Sequence, residues 1–336
     1  MKNLLEPENL IRHFQEHPPE GFASIDLGGT PAFATKFDLT TTLEPAVRKR
    51  LQWLPRWRPM TCFVGTTVSE YALFSPDSGT EELMSRKRDY PFFIIKDIPT
   101  EATLVGDDAL ADSRRVADTC RDAGFVLVDG QALAYVPIDF ASTDEYLSRL
   151  SHARRKSLRR KLRSRASLEI EAIPTGDSRF GDESFLAALY ALYRNVYDQS
   201  EIHFDLLTAE FFRAVLQDAD VHGVVFVYHA GGNLIGFNFC VCENGMLIDK
   251  YVGFRYPEAR EHDLYTVSWF HNLEYALERG FKTYVAGWTD PEVKRQLGAR
   301  FTFTMHAVYV RNPILRALLK GFRRFFESDR QWHVDS

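Results

Sequence analysis

GVVFVYH (223–229), LIGFNFCVC (234–242) and MLIDKYVGF (246–254) are followed by LYTVSWFHNLEYALERG (264–280), KTYVAG (282–287), PEVKRQLG (291–298) and FTFTMHAVYV (301–310). The first three runs are rich in β-branched and aromatic residues, which predicts strands. The joints between them are Gly231-Gly232-Asn233 and Asn244-Gly245. Those residues tolerate the positive φ that tight hairpins demand. The 264–280 run has helical spacing and ends on Gly280, and 291–298 opens on Pro and closes on Gly298. The pattern predicts a three-stranded meander, a helical crossover, a strand, a short helix and a last strand. That is a mixed α/β core, whose strand ends are a natural place for a ligand.

Working back toward the N-terminus, LEIEAIP (168–174) alternates as a strand. DESFLAALYALYRNVYDQS (182–200) and LTAEFFRAVLQDA (207–219) have helical period, the second with Thr208 as its cap. The first half is weaker in signal. FATKFDL (33–39), MTCFVG (60–65) and YPFFIIKDIP (90–99) predict strands, and LADSRRVADTCRDAGF (110–125) a helix closed by Gly124. The basic-aromatic run LEPAVRKRLQWLPRWRP (43–59) ends in Pro, and VLVDG with AYVPIDF (126–130, 134–140) reads as a hairpin.

With 336 residues the chain is one large domain or two ordinary ones, and 45% hydrophobic with 26% charged residues is the composition of a soluble globular protein. The net charge of −5 makes any basic patch local. Cys62, Cys120, Cys240 and Cys242 lack metal-site spacing and read as buried thiols in a reducing compartment. MKNLLEPENLIRHF lacks the layout of a signal peptide, and no run approaches the ~20 apolar residues of a membrane span. The expected location is cytoplasmic, with contact to the inner face of the membrane as a further expectation. No phosphate-binding P-loop, zinc-protease motif or G-x-S-x-G elbow occurs.

SHARRKSLRRKLRSR (151–165) holds eight basic residues in fifteen, after a helix start at Ser142-Thr143-Asp144-Glu145. One reading is a solvated linker helix; the other is an anion-binding helix, for which Arg159, Arg160 and Lys161 are the docking residues. The C-terminal segment NPILRALLKGFRRFFESDR (312–330) is amphipathic, with Ile314, Leu315, Leu318, Leu319, Phe322, Phe325 and Phe326 opposite Arg316, Lys320, Arg323 and Arg324. It either packs its apolar face on the protein or lies, through 312–326, on an anionic membrane.

The full order from 168 to 310 resembles a GNAT acyltransferase domain. LSHARRKSLRRKLRS (150–164), NVYDQSEIHFDLLTAEFF (195–212), LIDKYVGFRYPEAREHDLYTVSWFHNLEYALERG (247–280) and WTDPEVKRQLGAR (288–300) resemble the FemAB-like branch of that superfamily. The resemblance implies an α/β fold of two tandem GNAT-like domains. The expected division is an N-terminal domain over 1–140, the basic helix over 141–166, the well-matched GNAT domain over 167–311 and an amphipathic tail over 312–336. It also implies transfer of an acyl group from a thioester carrier, acyl-coenzyme A or acyl carrier protein, to an amine, such as that of a lipid precursor. Aminoacyl transfer from transfer RNA to a cell-wall precursor is the alternative, and a non-catalytic binding protein a third. The donors are co-substrates; no tightly bound cofactor, no metal and no DNA partner is expected. Unlike coenzyme A-using relatives, the loop 254–263 has no Gly after Gly253 and carries Glu258, Glu261 and Asp263, which favours a macromolecular carrier.

Amine acylation needs a base, an acid and oxyanion donors. Asp249 and Tyr251 should share one face of the central strand, with Lys250, a partner for Glu243, on the other. His262 at a helix start should be neutral, and Tyr265 lies close enough in sequence to donate a proton. These give His262, Tyr251, Asp249 and Tyr265 as catalytic candidates. Lys250, Arg260, Trp288 and Lys294 join the basic helix as binding candidates. Asp263 is read as a helix cap, and His229 and His306 as structural.

Overall fold

The computed structural model describes residues 5–38, 57–72, 80–200 and 203–322. The basic-aromatic run at 43–56 and the Arg323–Phe326 end of the amphipathic tail lie outside them. Eleven strands are present in chain order: β1 (Ala23–Asp26), β2 (Pro31–Lys36), β3 (Met60–Val64), β4 (Phe92–Pro99), β5 (Val126–Pro137), β6 (Glu169–Pro174), β7 (Gly223–Ala230), β8 (Asn233–Glu243), β9 (Met246–Phe254), β10 (Thr283–Gly287) and β11 (Arg300–Val310). The chain divides into two compact units. The first holds Met1–Leu5, Phe14–Ala132 and Thr302–Ser336; the second holds Glu6–His13 and Leu133–Phe301. The basic segment thus belongs wholly to the second unit.

In the first unit the strand order is β1-β2-β3-β4-β11, antiparallel except that β3 and β4 run parallel. Phe93, Ile95, Val64, Val116, Cys120 and Tyr309 build its core beneath the helix Asp107–Asp122. Where the parallel pair ends at Val64 and Ile95, the chain places buried Asp97, ion-paired with Lys96, and its backbone N–H donates to His306 Nδ1 at 3.0 Å. His306 is therefore a structural acceptor, as expected. The hairpin read at 126–140 is instead one continuous strand, β5. Gly130 makes no turn there: a Cβ on it would overlap Thr304 Oγ1 and crowd the His306 ring, so the glycine serves a close approach.

The second unit has the order β5-β10-β9-β8-β7-β6, with β9 and β10 parallel and the rest antiparallel. Its helices are Glu183–Gln199, capped by Asp182, and Ala209–Gln217, capped by Thr208 Oγ1 accepting from Phe211 N–H at 3.1 Å. Leu264–Glu278 is the crossover helix from β9 to β10. Trp269, Phe270, Leu273 and Ala276 bury its inner face, and the hairpin turn into β9 has φ of 50° at Asn244 and 74° at Gly245. The fold class is α/β with mixed sheets, as the sequence predicts.

Candidate active site

Strand pairing between β9 and β10 covers only Met246–Ile248 against Thr283–Val285. Beyond Ile248 the ladder ends while β9 runs on to Phe254, so the two strands part and leave the β10-facing edge of β9 without a strand partner. Asp249 is the first residue past that point. One extra residue, Lys250, sits between the pairs Phe239–Tyr251 and Cys240–Asp249. Such a β-bulge inverts the alternation of faces. Asp249 therefore turns toward the helix Leu264–Glu278, and Tyr251 toward the opposite layer, its ring 5.7 Å from Phe212 and 6.1 Å from Tyr193. The expectation that the two share a face is corrected by this bulge.

Asp249 is held by a polar network in an otherwise apolar layer. Asn238 Nδ2 donates to its Oδ1 at 2.6 Å and the Tyr284 hydroxyl to its Oδ2 at 2.8 Å. Asn272 Nδ2 links all three, at 2.6 Å from Asn238 Oδ1, 3.1 Å from the Tyr284 oxygen and 3.4 Å from Asp249 Oδ2. Asn238, Asn272 and Tyr284 are buried, whereas Asp249 retains partial solvent contact. Burial deep among protein atoms pushes the Asp249 carboxyl up to about 6, against the hydrogen bonds from Tyr284 and Asn238 and the charges of Lys294 and Lys250. Asn238, Asn272 and Tyr284 were not singled out from the sequence. The available signal was a lone amide inside each of the apolar runs LIGFNFCVC and WFHNLEYAL.

A groove of about 400 Å³ in the second unit is lined by the basic helix His152–Lys161, the end of β9 and both following helix starts. Arg154, Lys161 and Arg260 supply its cations, Tyr265 and Leu264 its floor, and Val293 and Leu297 its apolar side. Tyr265 belongs to both places: burial raises its hydroxyl pKa first, and the negative charges of Asp290 and Asp249 raise it further. Lys294, buried on the helix Pro291–Leu297, has its Nζ 3.8 Å from the position a Cβ on Gly287 would take, as does the Asp249 carbonyl oxygen.

The basic helix is pinned, not free. Leu158 is buried, Lys161 Nζ lies 3.9 Å from Asp263, and the Ser164 hydroxyl donates to the His262 carbonyl at 2.6 Å. Arg165 pairs with Glu274 and Arg159 with Asp144 at 3.1 Å. Lys156, Arg160 and Arg163 are exposed and have no carboxylate partner among the described residues. His262 sits away from the groove lining, with Nδ1 3.0 Å from Ser167 Oγ. Asp263 makes no side-chain cap. Trp288 is half-buried beyond β10.

Lys250 is not on the groove either. Its Nζ is 3.0 Å from Glu6 Oε1, both side chains nearly free of solvent, while Glu243 pairs with His222 at 3.3 Å. Removing one member of a buried pair strands the other charge. Lys250→Ala should therefore destabilise the protein by about 3–5 kcal/mol, as read by urea unfolding. The double change Lys250→Met/Glu6→Gln should recover most of that loss. Among the described residues no cluster of His, Cys, Asp or Glu is arranged to hold a metal ion, and the four cysteines are free thiols.

The second unit thus holds a split parallel strand pair with a raised-pKa carboxyl and, separately, a groove with basic lining. The family model FemAB-like, described as peptidoglycan biosynthesis/recognition, matches residues 71–334, and the chain belongs to that family. It is similar, at 25% identity over 83% of its length, to Mycobacterium tuberculosis proteins named 8-amino-7-oxononanoate synthase 2, of which it spans only 37%. The C-terminal domain of a lysylphosphatidylglycerol synthetase from Agrobacterium fabrum superposes with a TM-score of 0.54 at 13% identity, covering 92% of this chain and 88% of that one. FemX superposes with a TM-score of 0.52 at 12% identity, covering 93% and 98%. The family match and these superpositions together show the family and the fold.

Proposed function

We propose that the chain acylates an amine, taking the acyl group from a thioester carrier that docks in the basic groove. The observation that carries this reading is Asp249, a carboxyl pushed up to about 6 at the point where β9 and β10 part. In the reaction the amine nitrogen attacks the thioester carbonyl carbon, a C–N bond forms and the C–S bond breaks. The ammonium proton passes to Asp249, and Tyr265, held protonated by its surroundings, gives its proton to the departing thiolate. Arg154, Lys161 and Arg260, which line the groove, hold the anionic part of the carrier, and Lys294, near Gly287 at the end of β10, and Trp288 are assigned to the acceptor. The name of the M. tuberculosis relatives describes a synthase whose product bears a primary amine beside a ketone. That supports an amino-ketone or its reduced amino alcohol as the acceptor class.

A second reading, aminoacyl transfer from transfer RNA, is favoured by one feature: the unpaired cations Lys156, Arg160 and Arg163 beside the groove. The test is to mix the purified protein with an acyl-coenzyme A, an acyl-acyl carrier protein or an aminoacyl-transfer RNA, each with a long-chain amino alcohol. Amine-dependent release of free thiol from either thioester is the expected result. Deacylation of transfer RNA alone would favour the second reading, and release from no donor would leave a binding protein.

A further inference from the structure

The helix Pro313–Phe322 is docked the wrong way round for a helix that completes a core. Asn312 Oδ1 accepts from the N–H groups of Ile314 and Leu315 at 2.9 and 3.2 Å and so fixes its start. Arg316 and Leu319 are the side chains turned toward the protein, both half-buried, with the Arg316 guanidinium 4.8 Å over the Tyr309 ring, while Lys320 is exposed. Its apolar side faces solvent, with Ile314 70%, Leu318 50% and Leu315 37% exposed. The usual arrangement is the reverse, because burying an aliphatic side chain is worth about 1.5–3 kcal/mol. Of the apolar face expected to pack on the protein, Ile314, Leu315 and Leu318 stay exposed, Leu319 is half-buried, and Phe325 and Phe326 lie outside the described residues.

Cations gather around the Tyr309 ring on which the helix docks. Arg88 and Arg316 both hydrogen-bond the Tyr309 hydroxyl, Lys87 lies 5.2 Å over the same ring, and Arg311 and Lys320 are exposed at the two ends of the exposed strip. Arg88, Arg311 and Lys320 have no carboxylate partner among the described residues. Among the described residues the strip offers three exposed aliphatic side chains, Ile314, Leu315 and Leu318. A bilayer surface needs only a few inserted aliphatic side chains together with cations at headgroup level.

We propose that the helix Pro313–Phe322 is a docking face for an anionic membrane surface, with Ile314, Leu315 and Leu318 entering the acyl-chain boundary and Arg88, Arg311 and Lys320 meeting the headgroups. This inference stands on the first unit alone and is independent of the transferase reading. The test is co-sedimentation of the full chain with phosphatidylcholine vesicles, with and without a third of phosphatidylglycerol. The variants are Ile314→Ser/Leu318→Ser, which touches only exposed positions, and Arg311→Gln/Lys320→Gln. Wild type should sediment with the anionic vesicles and roughly tenfold less with neutral ones, and each variant should lose roughly tenfold or more of the anionic binding. Light scattering and thermal unfolding, run alongside, should show every form folded and equal in mass. Wild type that ignores both vesicles, or an Ile314→Ser/Leu318→Ser variant that binds like wild type, overturns the proposal. So does a wild-type dimer that this variant dissolves, which would assign the face to a second copy of the chain.

Discussion

Asp249→Asn should lower turnover with any working donor by on the order of 10²–10⁴, as loss of a general base does, while leaving the protein as stable or more stable at neutral pH. The two halves of this expectation come from one cause. Burial raises the Asp249 carboxyl to about 6, so the folded state holds this proton more tightly than the unfolded chain, where an aspartate has its ordinary value of 3.8. The group's favourable contribution is present below that ordinary value and is lost as pH rises through about 6. At pH 7 the ionised carboxylate is a stability cost, on the order of 1–3 kcal/mol given its partial solvent contact. Asparagine removes the charge yet keeps an acceptor for Asn238, and the Tyr284 hydroxyl can accept instead of donate. Melting temperatures at pH 5 and pH 7.5 test the linkage: the variant's advantage should be largest at the higher pH. In wild type, kcat/KM should fall as pH drops through about 6, and the fall should be absent from whatever activity Asp249→Asn retains. A variant with wild-type turnover would place the base elsewhere.

The strands, helices and turns of 168–310 were legible because each carries its own local chemistry. Asn244-Gly245, the Asp182 and Thr208 caps and the Pro291 start all act within a few residues of their own position. Asp249 was legible too, as a carboxyl in the middle of a strand. What sequence periodicity could not supply was the bulge at Lys250. An extra residue in a strand leaves the alternation of residue types intact and changes only which partner each residue meets. The shared face expected for Asp249 and Tyr251 failed for that reason. The expected partner of Lys250 failed because Glu6 is distant in sequence, and no local spacing announces a buried pair across such a separation. Asn238, Asn272 and Tyr284 belong to the same category, since each becomes a site residue only when three strands and a helix bring them around one carboxyl. Gly130 is the converse. It carries the signature of a turn, and its close approach to Thr304 depends on a strand that follows much later in the chain.

The basic helix should separate a small donor from a macromolecular one. Arg154 and Lys161 line the groove itself, so Arg154→Gln/Lys161→Gln should raise the donor KM by roughly 10–100-fold whichever thioester is used, each lost contact being a charge-assisted bond to the donor's anionic part. Lys156, Arg160 and Arg163 are exposed and lie outside that lining. They can act only on a partner broad enough to cover the outer face of the helix. Lys156→Glu/Arg160→Glu/Arg163→Glu should therefore leave acyl-coenzyme A kinetics unchanged. With an acidic carrier protein or transfer RNA it should weaken binding by a further 10-fold or more, and should flatten the dependence of KM on salt. Dense like charge carries a cost when no partner is bound, so this triple change should not lower the melting temperature. Among the described residues these three cations have no carboxylate partner, whereas Arg149, Arg159 and Arg165 close by in sequence are all paired. Equal loss for coenzyme A and for the macromolecular donors would instead assign these cations to the general field of the groove.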